Sequence, residues 1–254
     1  LQFPSVATGG IIGRPGKFGK AVQIAEATTN LVTNPSFEVD TAGWTGLPGG
    51  ILTRVTEHAK YGSACLELEA VALYGGARTT FPVSNGVTYT ASMWLRSDEA
   101  GAKCDVQVYT GSGGIARLNN IPLTTEWQRV SLTFTATSTW TYEVRTFTAT
   151  GALEPQTWQV DGVQVEAKSY PTPYCDGSLG PGHAWTGTPH ASASTRVAAH
   201  LGYGPQPGVD GPRGCYAFWF MPFANSGTWP TNTRLVQAGN ASSWPYCAVY
   251  CDDN

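Results

Sequence analysis

The sequence predicts an all-β protein, a jelly-roll β-sandwich followed by a partial second β-sandwich. Only 13% of the residues are charged, whereas 30 glycines and 17 prolines are spread along the 254 residues. That composition, with frequent Thr, Trp and Tyr, favours short strands joined by turns. Strand-sized runs recur at intervals of roughly ten residues, which is typical of a sandwich or jelly roll.

Changes in composition divide the chain into four segments. Residues 1–27 are interrupted by Gly and Pro and contain one short strand-like run, so we expect an arm or linker. Residues 28–168 form the jelly roll. Residues 169–195 are rich in Pro, Gly, Ser and Thr and predict a linker, ordered in part by its aromatic side chains. Residues 196–254 begin the second sandwich.

The central segment carries the clearest strand patterns. The predicted strands are Leu66–Ala70, Val87–Arg96, Asp105–Tyr109, Gln128–Thr135, Tyr142–Thr148 and Trp158–Glu166. In Val87–Arg96, one face of the strand carries Tyr89, Ala91, Met93 and Leu95. The opposite face carries Thr90, Ser92, Trp94 and Arg96, as expected for a strand with one face in the core.

Strand signals return after the predicted linker. They lie at Tyr216–Phe220, Arg234–Val236 and Tyr246–Tyr250. Three or four strands do not close a sandwich, so this region predicts only the opening part of a domain.

The overall charge and hydropathy exclude two classes of partner. A formal net charge of −3, without any run of Lys or Arg, argues against nucleic-acid binding. The longest densely apolar run, Cys215–Phe223, is about half of the roughly 18 residues that span a bilayer, so we expect no membrane insertion. Six cysteines without CxxC spacing permit disulfides outside the cell, and the sequence leaves their pairing open.

Five motifs occur in the same order as in a known family. They are Asn30–Glu38 followed by Gly43 and Trp44, then Tyr61–Leu66, Gly86–Ser92, Trp127–Val130 and Val160–Glu166. Over about 140 residues this succession resembles the jelly-roll carbohydrate-binding modules of families 4, 9 and 22. The resemblance implies a glycan-binding jelly roll.

The flanking segments resemble other modules more loosely. The region after Arg196 is similar to the start of a concanavalin-like or laminin-G-like sandwich. The combination of the three parts resembles tail and minor structural proteins of bacteriophages. This implies an extracellular location on a virion or another surface assembly, with virion or filament neighbours or a homo-oligomer as possible partners.

Two polar and aromatic pairs are candidate glycan-binding residues. Sugars present C–H-rich faces and a ring of hydroxyls, so a groove needs flat aromatics and fixed polar groups. Trp94 and Arg96 supply both on the outer face of one strand. Gln107 and Tyr109 of another strand are expected to join them. The alternative is that Trp94 packs beneath a loop or a neighbouring domain.

Glu38 and Asp161 are candidate ligands of a structural calcium. The resemblance implies that the first and last strands, which carry these residues, are neighbours, and related modules hold calcium there. Carboxylate and carbonyl oxygens suit calcium. The alternative is that both side chains anchor turns by hydrogen bonds.

No candidate catalytic residues emerge, so we expect a non-catalytic protein. No pair of carboxylates stands out as a hydrolytic pair, and the four histidines lie outside HExxH or nucleophile-elbow motifs. The first hypothesis is therefore glycan binding and adhesion. The alternatives are a purely structural subunit of a virion or extracellular filament, and an accessory region of a secreted glycoside hydrolase.

Overall fold

The computed structural model describes residues 6–8, 12–16, 19–23, 25–149, 151–152, 155–198, 200–202, 233–238 and 247–251, with side chains between 25 and 198. The chain divides into two compact units. One comprises residues 24–199 with residues 8–10, and the other comprises the two terminal regions.

The described residues form strands and turns, without helices, and hold no helix long and apolar enough to cross a membrane. Along the chain the strands are β1 (Val6–Thr8), β2 (Ile12–Gly16), β3 (Gly19–Gln23), β4 (Thr28–Asn30), β5 (Trp44–Gly46), β6 (Gly50–Val55), β7 (Cys65–Ala70), β8 (Gly76–Val83), β9 (Thr88–Arg96), β10 (Lys103–Tyr109), β11 (Gly114–Pro122), β12 (Gln128–Thr135), β13 (Trp140–Thr148), β14 (Gln156–Glu166), β15 (His183–Trp185), β16 (Ser194–Arg196), β17 (His200–Gly202), β18 (Thr233–Ala238) and β19 (Cys247–Cys251). The six predicted central strands are confirmed to within two residues at each end.

Two five-stranded antiparallel sheets make up the central sandwich. Sheet I has the strand order β11-β10-β13-β8-β5, and sheet II has the order β12-β9-β14-β7-β6. Their facing sides enclose one apolar core, in which Met93, Tyr142 and Trp158 are fully buried. The predicted alternation of β9 is confirmed, because Tyr89, Ala91, Met93 and Leu95 all face this core. The fold is therefore an all-β jelly-roll sandwich.

Strands β8 and β11 were not predicted from the sequence, although they span eight and nine residues, respectively. Strand β8 contains Pro82, a residue that weakens a strand signal. Strand β11 reads Gly-Ile-Ala-Arg-Leu-Asn-Asn-Ile-Pro, without regular alternation of apolar and polar residues. Both strands belong to sheet I, and β11 contributes Arg117 to the site described below, so the pattern did not reveal that part of the site.

The terminal unit is described only by its strands. Strands β2 and β3 pair as a hairpin, β18 and β19 pair antiparallel, and β1 pairs with β17. The first 27 residues, expected as an arm or linker, thus include strands that belong to the same unit as the C-terminal strands. The predicted strand Tyr216–Phe220 lies outside the described residues.

The segment 169–195, predicted to be a linker ordered in part by its aromatic side chains, packs on the sandwich. Strand β16 pairs with both β15 and β4, and Tyr174 and Cys175 are buried. Arg196, only 2% exposed, donates through Nη1 to the carbonyl of Pro173 at 2.5 Å and through Nη2 to Thr172 at 3.0 Å. A composition rich in Pro and Gly keeps the strands of this segment short, but it does not prevent burial of the aromatic and polar side chains between the turns.

Asn30 holds the end of β4, strand β14 and this segment together. Its amide Nδ2 donates to the carbonyls of Val163 (2.9 Å) and Cys175 (3.1 Å). Its Oδ1 accepts from the backbone N–H groups of Val32 and Val165, both at 3.1 Å. The side chain is fully buried, so its four hydrogen bonds satisfy backbone groups that water cannot reach.

Three cysteines of the central unit, Cys65, Cys104 and Cys175, are free and fully buried. Burial raises the thiol pKa of Cys65 and Cys104 to about 12 and that of Cys175 to about 11. All three are therefore protonated at neutral pH.

We predict that Asn30→Ala lowers the free energy of unfolding by about 3 kcal/mol, because it leaves several buried backbone groups unpaired. Urea denaturation monitored by tryptophan fluorescence measures the change. The control is Thr29→Ala in the same strand, an exposed position where the change should stay within about 0.5 kcal/mol. Equal effects of the two substitutions would show that Asn30 does not hold these elements together.

Candidate functional site

The structure places the four predicted glycan-binding residues on two opposite surfaces. Trp94 and Arg96 lie on the outer face of sheet II, whereas Gln107 and Tyr109 lie on the outer face of sheet I. The strand alternation correctly indicated that each pair points away from the core. The expectation that they share one surface is wrong, because β9 and β10 belong to different sheets.

The surroundings of Trp94 and Arg96 leave them few contacts to offer a ligand. The ammonium group of Lys60 lies 4.1 Å from the centre of the Trp94 ring, and Tyr61 makes an edge contact with that ring. Arg96 is only 4% exposed. Its guanidinium donates to the carbonyl of Thr125 (2.9 Å), to Oε1 of Gln159 (3.2 Å) and to Asp98. Arg96 therefore connects neighbouring elements of sheet II.

An open cleft of about 330 Å³ lies on the outer face of sheet I. Gln107, Arg117, Arg145 and Phe147 line it from the strands, and Leu47, Pro48 and Tyr74 line it from the loops at one end. Its volume is at the lower end of the roughly 300–1,000 Å³ usual for ligand pockets. Of the predicted glycan-binding residues, Gln107 lines the cleft and Tyr109 lies two residues further along β10.

Strand register brings the cleft side chains together. Gln107 pairs with Arg145 on one side and with Arg117 on the other. Tyr109 pairs with Glu143, one step along the same face. Because side chains two residues apart in a strand share a face, β13 contributes Glu143, Arg145 and Phe147 to this surface.

Guanidinium groups cover the aromatic rings of this face. The guanidinium carbon of Arg145 lies 3.6 Å from the centre of the Tyr109 ring, and that of Arg117 lies 5.0 Å from the centre of the Phe147 ring. Such contacts are favourable cation–π interactions. Half-buried Tyr109 and buried Phe147 thus form a floor, and the arginines form the layer above it.

Two carboxylates position the arginines. Glu143 accepts from Nε of Arg145 at 2.6 Å and from Nη1 of Arg78 at 2.9 Å. Asp105, almost fully buried, accepts from Nε of Arg117 at 3.0 Å and from the backbone N–H of Asn120 at 2.6 Å. The arginine side chains are thereby held in fixed directions before any ligand arrives.

Arg78, Arg117, Glu143, Arg145 and Phe147 were missed as site residues from the sequence. Alternation within Tyr142–Thr148 places Glu143, Arg145 and Phe147 on one face, which was a usable signal. The position of β13 between β10 and β8 could not be predicted from the sequence, because strand order depends on contacts between distant parts of the chain.

Glu38 and Asp161, the predicted calcium ligands, direct their oxygens at backbone N–H groups. Glu38 accepts from the N–H groups of Ser63 (3.0 Å) and Ala64 (3.1 Å). Asp161 accepts from those of Lys60 and Tyr61 through Oδ2, at 2.7 and 2.9 Å. These are the turn-anchoring bonds of the alternative interpretation.

These two side chains do not fit a calcium site, since N–H donors already occupy their carboxylate oxygens. Among the described side chains, no group of three or more His, Cys, Asp or Glu is arranged to hold a metal ion. Calcium binding by Glu38 and Asp161 is thus a prediction that rests on the resemblance alone, and the geometry favours the turn-anchoring alternative.

The pKa of Asp161 is raised to about 7, mainly by burial and in smaller part by the negative charge of Glu38, while three backbone N–H bonds act in the opposite direction. The third of these bonds comes from Gly162, at 2.6 Å. Gly162 has a φ of +55°, and a Cβ there would lie 2.8 Å from the Tyr61 ring, so both the turn and the packing require glycine. The loop at residues 60–62 is thus tied to β14 through one buried carboxyl group.

A family model described as a carbohydrate binding domain, of carbohydrate-binding module families 4 and 9, matches residues 29–155. Similar solved structures include the CBM22-1 xylan-binding domain of Paenibacillus barcinonensis Xyn10C, with 19% identity and a TM-score of 0.45, covering 57% of this chain and 99% of that one. The enzymatically active domain of bacteriophage CBA120 tailspike protein 4 has 15% identity and a TM-score of 0.40, covering 54% and 21%. The Stig cyclase Fisc of Fischerella sp. TAU has 12% identity and a TM-score of 0.46, covering 57% and 100%. No curated protein matches the chain.

A β-sandwich with an open cleft of aromatic and polar side chains on one outer face is an arrangement typical of ligand-binding modules. The family match spans half of the chain and includes every residue that lines the cleft. The chain belongs to the carbohydrate binding domain family, as the sequence motifs implied. This domain is non-catalytic, and domains of the family usually occur in secreted or extracellular proteins.

We predict that chelation with EDTA leaves the melting temperature unchanged, because Glu38 and Asp161 are satisfied by backbone N–H groups. Glu38→Gln should lower the melting temperature with or without EDTA. The substitution replaces one carboxylate oxygen, which accepts from backbone N–H groups, with an amide NH₂ group, which can only donate. Differential scanning calorimetry measures both effects. A calcium-dependent rise in the melting temperature that disappears in the double variant Glu38→Gln, Asp161→Asn would instead establish the calcium site.

We predict that the stability of the protein, relative to an Asp161→Asn variant, rises as the pH falls from 8 to 5. The folded-state pKa of Asp161, about 7, lies above its ordinary value of 3.8. Between these values the folded protein holds a proton that the unfolded chain releases, so lowering the pH favours folding. Urea denaturation of both proteins at several pH values gives the difference between their free energies of unfolding. The contributions of other titratable groups cancel in this difference. A difference independent of pH would show that the N–H bonds at least balance the effect of burial on the pKa of Asp161.

Proposed function

We propose that the protein is a non-catalytic, extracellular glycan-binding protein and that the cleft of sheet I holds the glycan. The observation that carries this proposal is the fixed arrangement of Gln107, Tyr109, Arg117 and Arg145 on one open face of a carbohydrate binding domain. Polysaccharide is accordingly the proposed partner.

The cleft offers the contacts that a sugar chain requires. Sugar hydroxyls need hydrogen-bonding groups in fixed directions, and the amide of Gln107 and the guanidinium groups supply donors, with the Gln107 carbonyl as an acceptor. The cleft is open to solvent, so a segment of a polymer can enter it without threading. Since the arginines are already held by Glu143 and Asp105, binding requires little ordering of side chains.

The proposed setting is a phage tail or a similar surface assembly, in which the domain mediates adhesion. The motifs and the order of segments along the chain support this setting. Two alternatives have different consequences. A purely structural subunit would associate with itself, for example through the exposed Val71 and Leu73, whereas an accessory region would be joined to a glycoside hydrolase. Light scattering of the purified chain and sequencing of the full gene separate these settings.

We predict that Tyr109→Ala weakens glycan binding at least tenfold, because it removes the ring that supports Arg145. Glycan arrays identify a bound glycan, and isothermal titration calorimetry then measures its affinity. The matched control is Trp140→Ala, which removes a solvent-exposed ring five residues before Arg145, roughly 17 Å along the strand. This control should keep the parent affinity.

Trp94→Ala tests the opposite face of the sandwich. An affinity lowered by Trp94→Ala and unchanged by Tyr109→Ala would place the glycan on sheet II instead. Failure of the folded parent protein to bind any glycan would contradict the proposed function itself.

A further inference from the structure

We propose that the glycan bound in this cleft is acidic, a polysaccharide whose sugar units carry carboxylate groups. This inference rests on the proposed function, and it specifies the chemical class of the ligand. It follows from the charges, the covered rings and the available donors of the cleft face.

The outward positions of the sheet I strands carry more positive than negative charge. Three arginines, Arg78, Arg117 and Arg145, face two carboxylates, Asp105 and Glu143. Arg117 is paired with Asp105, which leaves Arg78 and Arg145 to share Glu143. These five side chains therefore carry one unbalanced positive charge, and Lys103, exposed on the same face of β10, adds another, although the whole chain has a formal net charge of −3.

The covered rings disfavour stacking of a neutral sugar. A neutral sugar gains much of its affinity by placing its C–H-rich face on a bare aromatic ring. Here the guanidinium groups of Arg145 and Arg117 already lie over the Tyr109 and Phe147 rings. A ligand that enters the cleft meets guanidinium groups, whose N–H donors lie in the guanidinium plane and bind carboxylates at its edge, in a bidentate manner where two donors are free.

The arginines retain donors for a ligand. A guanidinium has five N–H donors. Among the described residues, Arg78 donates through Nη1 to Glu143, and its side chain is 39% exposed. Arg145 uses Nε and Nη2 toward Glu143, at 2.6 and 2.5 Å, which leaves Nη1 for a ligand carboxylate. Arg145 borders the cleft directly, so it is the expected primary contact.

The test compares acidic polysaccharides with their own carboxyl-reduced forms. Polygalacturonate, alginate and hyaluronate serve as probes, each beside the polymer in which the carboxylates have been reduced to alcohols. Affinity electrophoresis and calorimetry should show at least tenfold tighter binding to one or more acidic forms. The preference should shrink in 1 M salt, where the Debye length is only about 3 Å.

Variants assign the preference to the cleft. Arg145→Gln should lower affinity for the acidic form at least tenfold and change affinity for the reduced form little, whereas Arg145→Lys should keep part of the preference because it keeps the charge. The matched control is Arg129→Gln, which removes one positive charge from the outer face of sheet II and should leave the preference intact. Melting temperatures verify that each variant is folded.

Three outcomes would overturn the inference. Equal or tighter binding of the reduced polymers would refute the acidic ligand and leave glycan binding standing. Binding of polyglutamate as tight as that of the acidic glycans would show a general affinity for polyanions. No binding to any acidic or neutral glycan would refute both the inference and the proposed function.

Discussion

The apolar layer between the two five-stranded sheets is the constraint on which the rest of the molecule depends. Each strand has only two faces, and burial of one face in the shared core commits the other to solvent. The inner positions of β9 and β10 are buried, so their remaining side chains must lie on the two outer surfaces. A slip of one residue in β10 or β13 would turn Tyr109 and Arg145 into the core, so packing of the core also fixes the position of the cleft.

Local pattern and long-range pairing contributed differently to what the sequence revealed. Alternation of apolar and polar residues was sufficient to predict the all-β class, six central strands and the outward direction of Trp94, Arg96, Gln107 and Tyr109. It could not show that β9 pairs with β12 and β14 while β10 pairs with β11 and β13, because strand order is decided by contacts between distant residues. For the same reason the extent to which the segment 169–195 packs on the sandwich could not be predicted, since burial of Arg196 depends on its contacts with residues 172 and 173.

Charge gives a second example of the difference between global and local properties. A formal net charge of −3 correctly describes a chain without a broad basic surface. Yet it conceals a small cationic area, because the strands collect three arginines on one face and most acidic side chains lie elsewhere. Electrostatic recognition by a cleft acts over distances comparable to the Debye length, about 8 Å at physiological salt, so local charge decides which ligand is favoured.

The three buried thiols of the central unit can be used to detect its local or global unfolding. A thiol reacts as its thiolate, and the raised pKa values of Cys65, Cys104 and Cys175 make that form scarce in the folded state. The three residues lie in different parts of the unit: on β7 in sheet II, on β10 in sheet I, and in the segment packed on the sandwich. The alkylation rate of each cysteine, measured by peptide mapping, would therefore distinguish local detachment of that segment from separation of the sheets. No cysteine has to be introduced for this experiment.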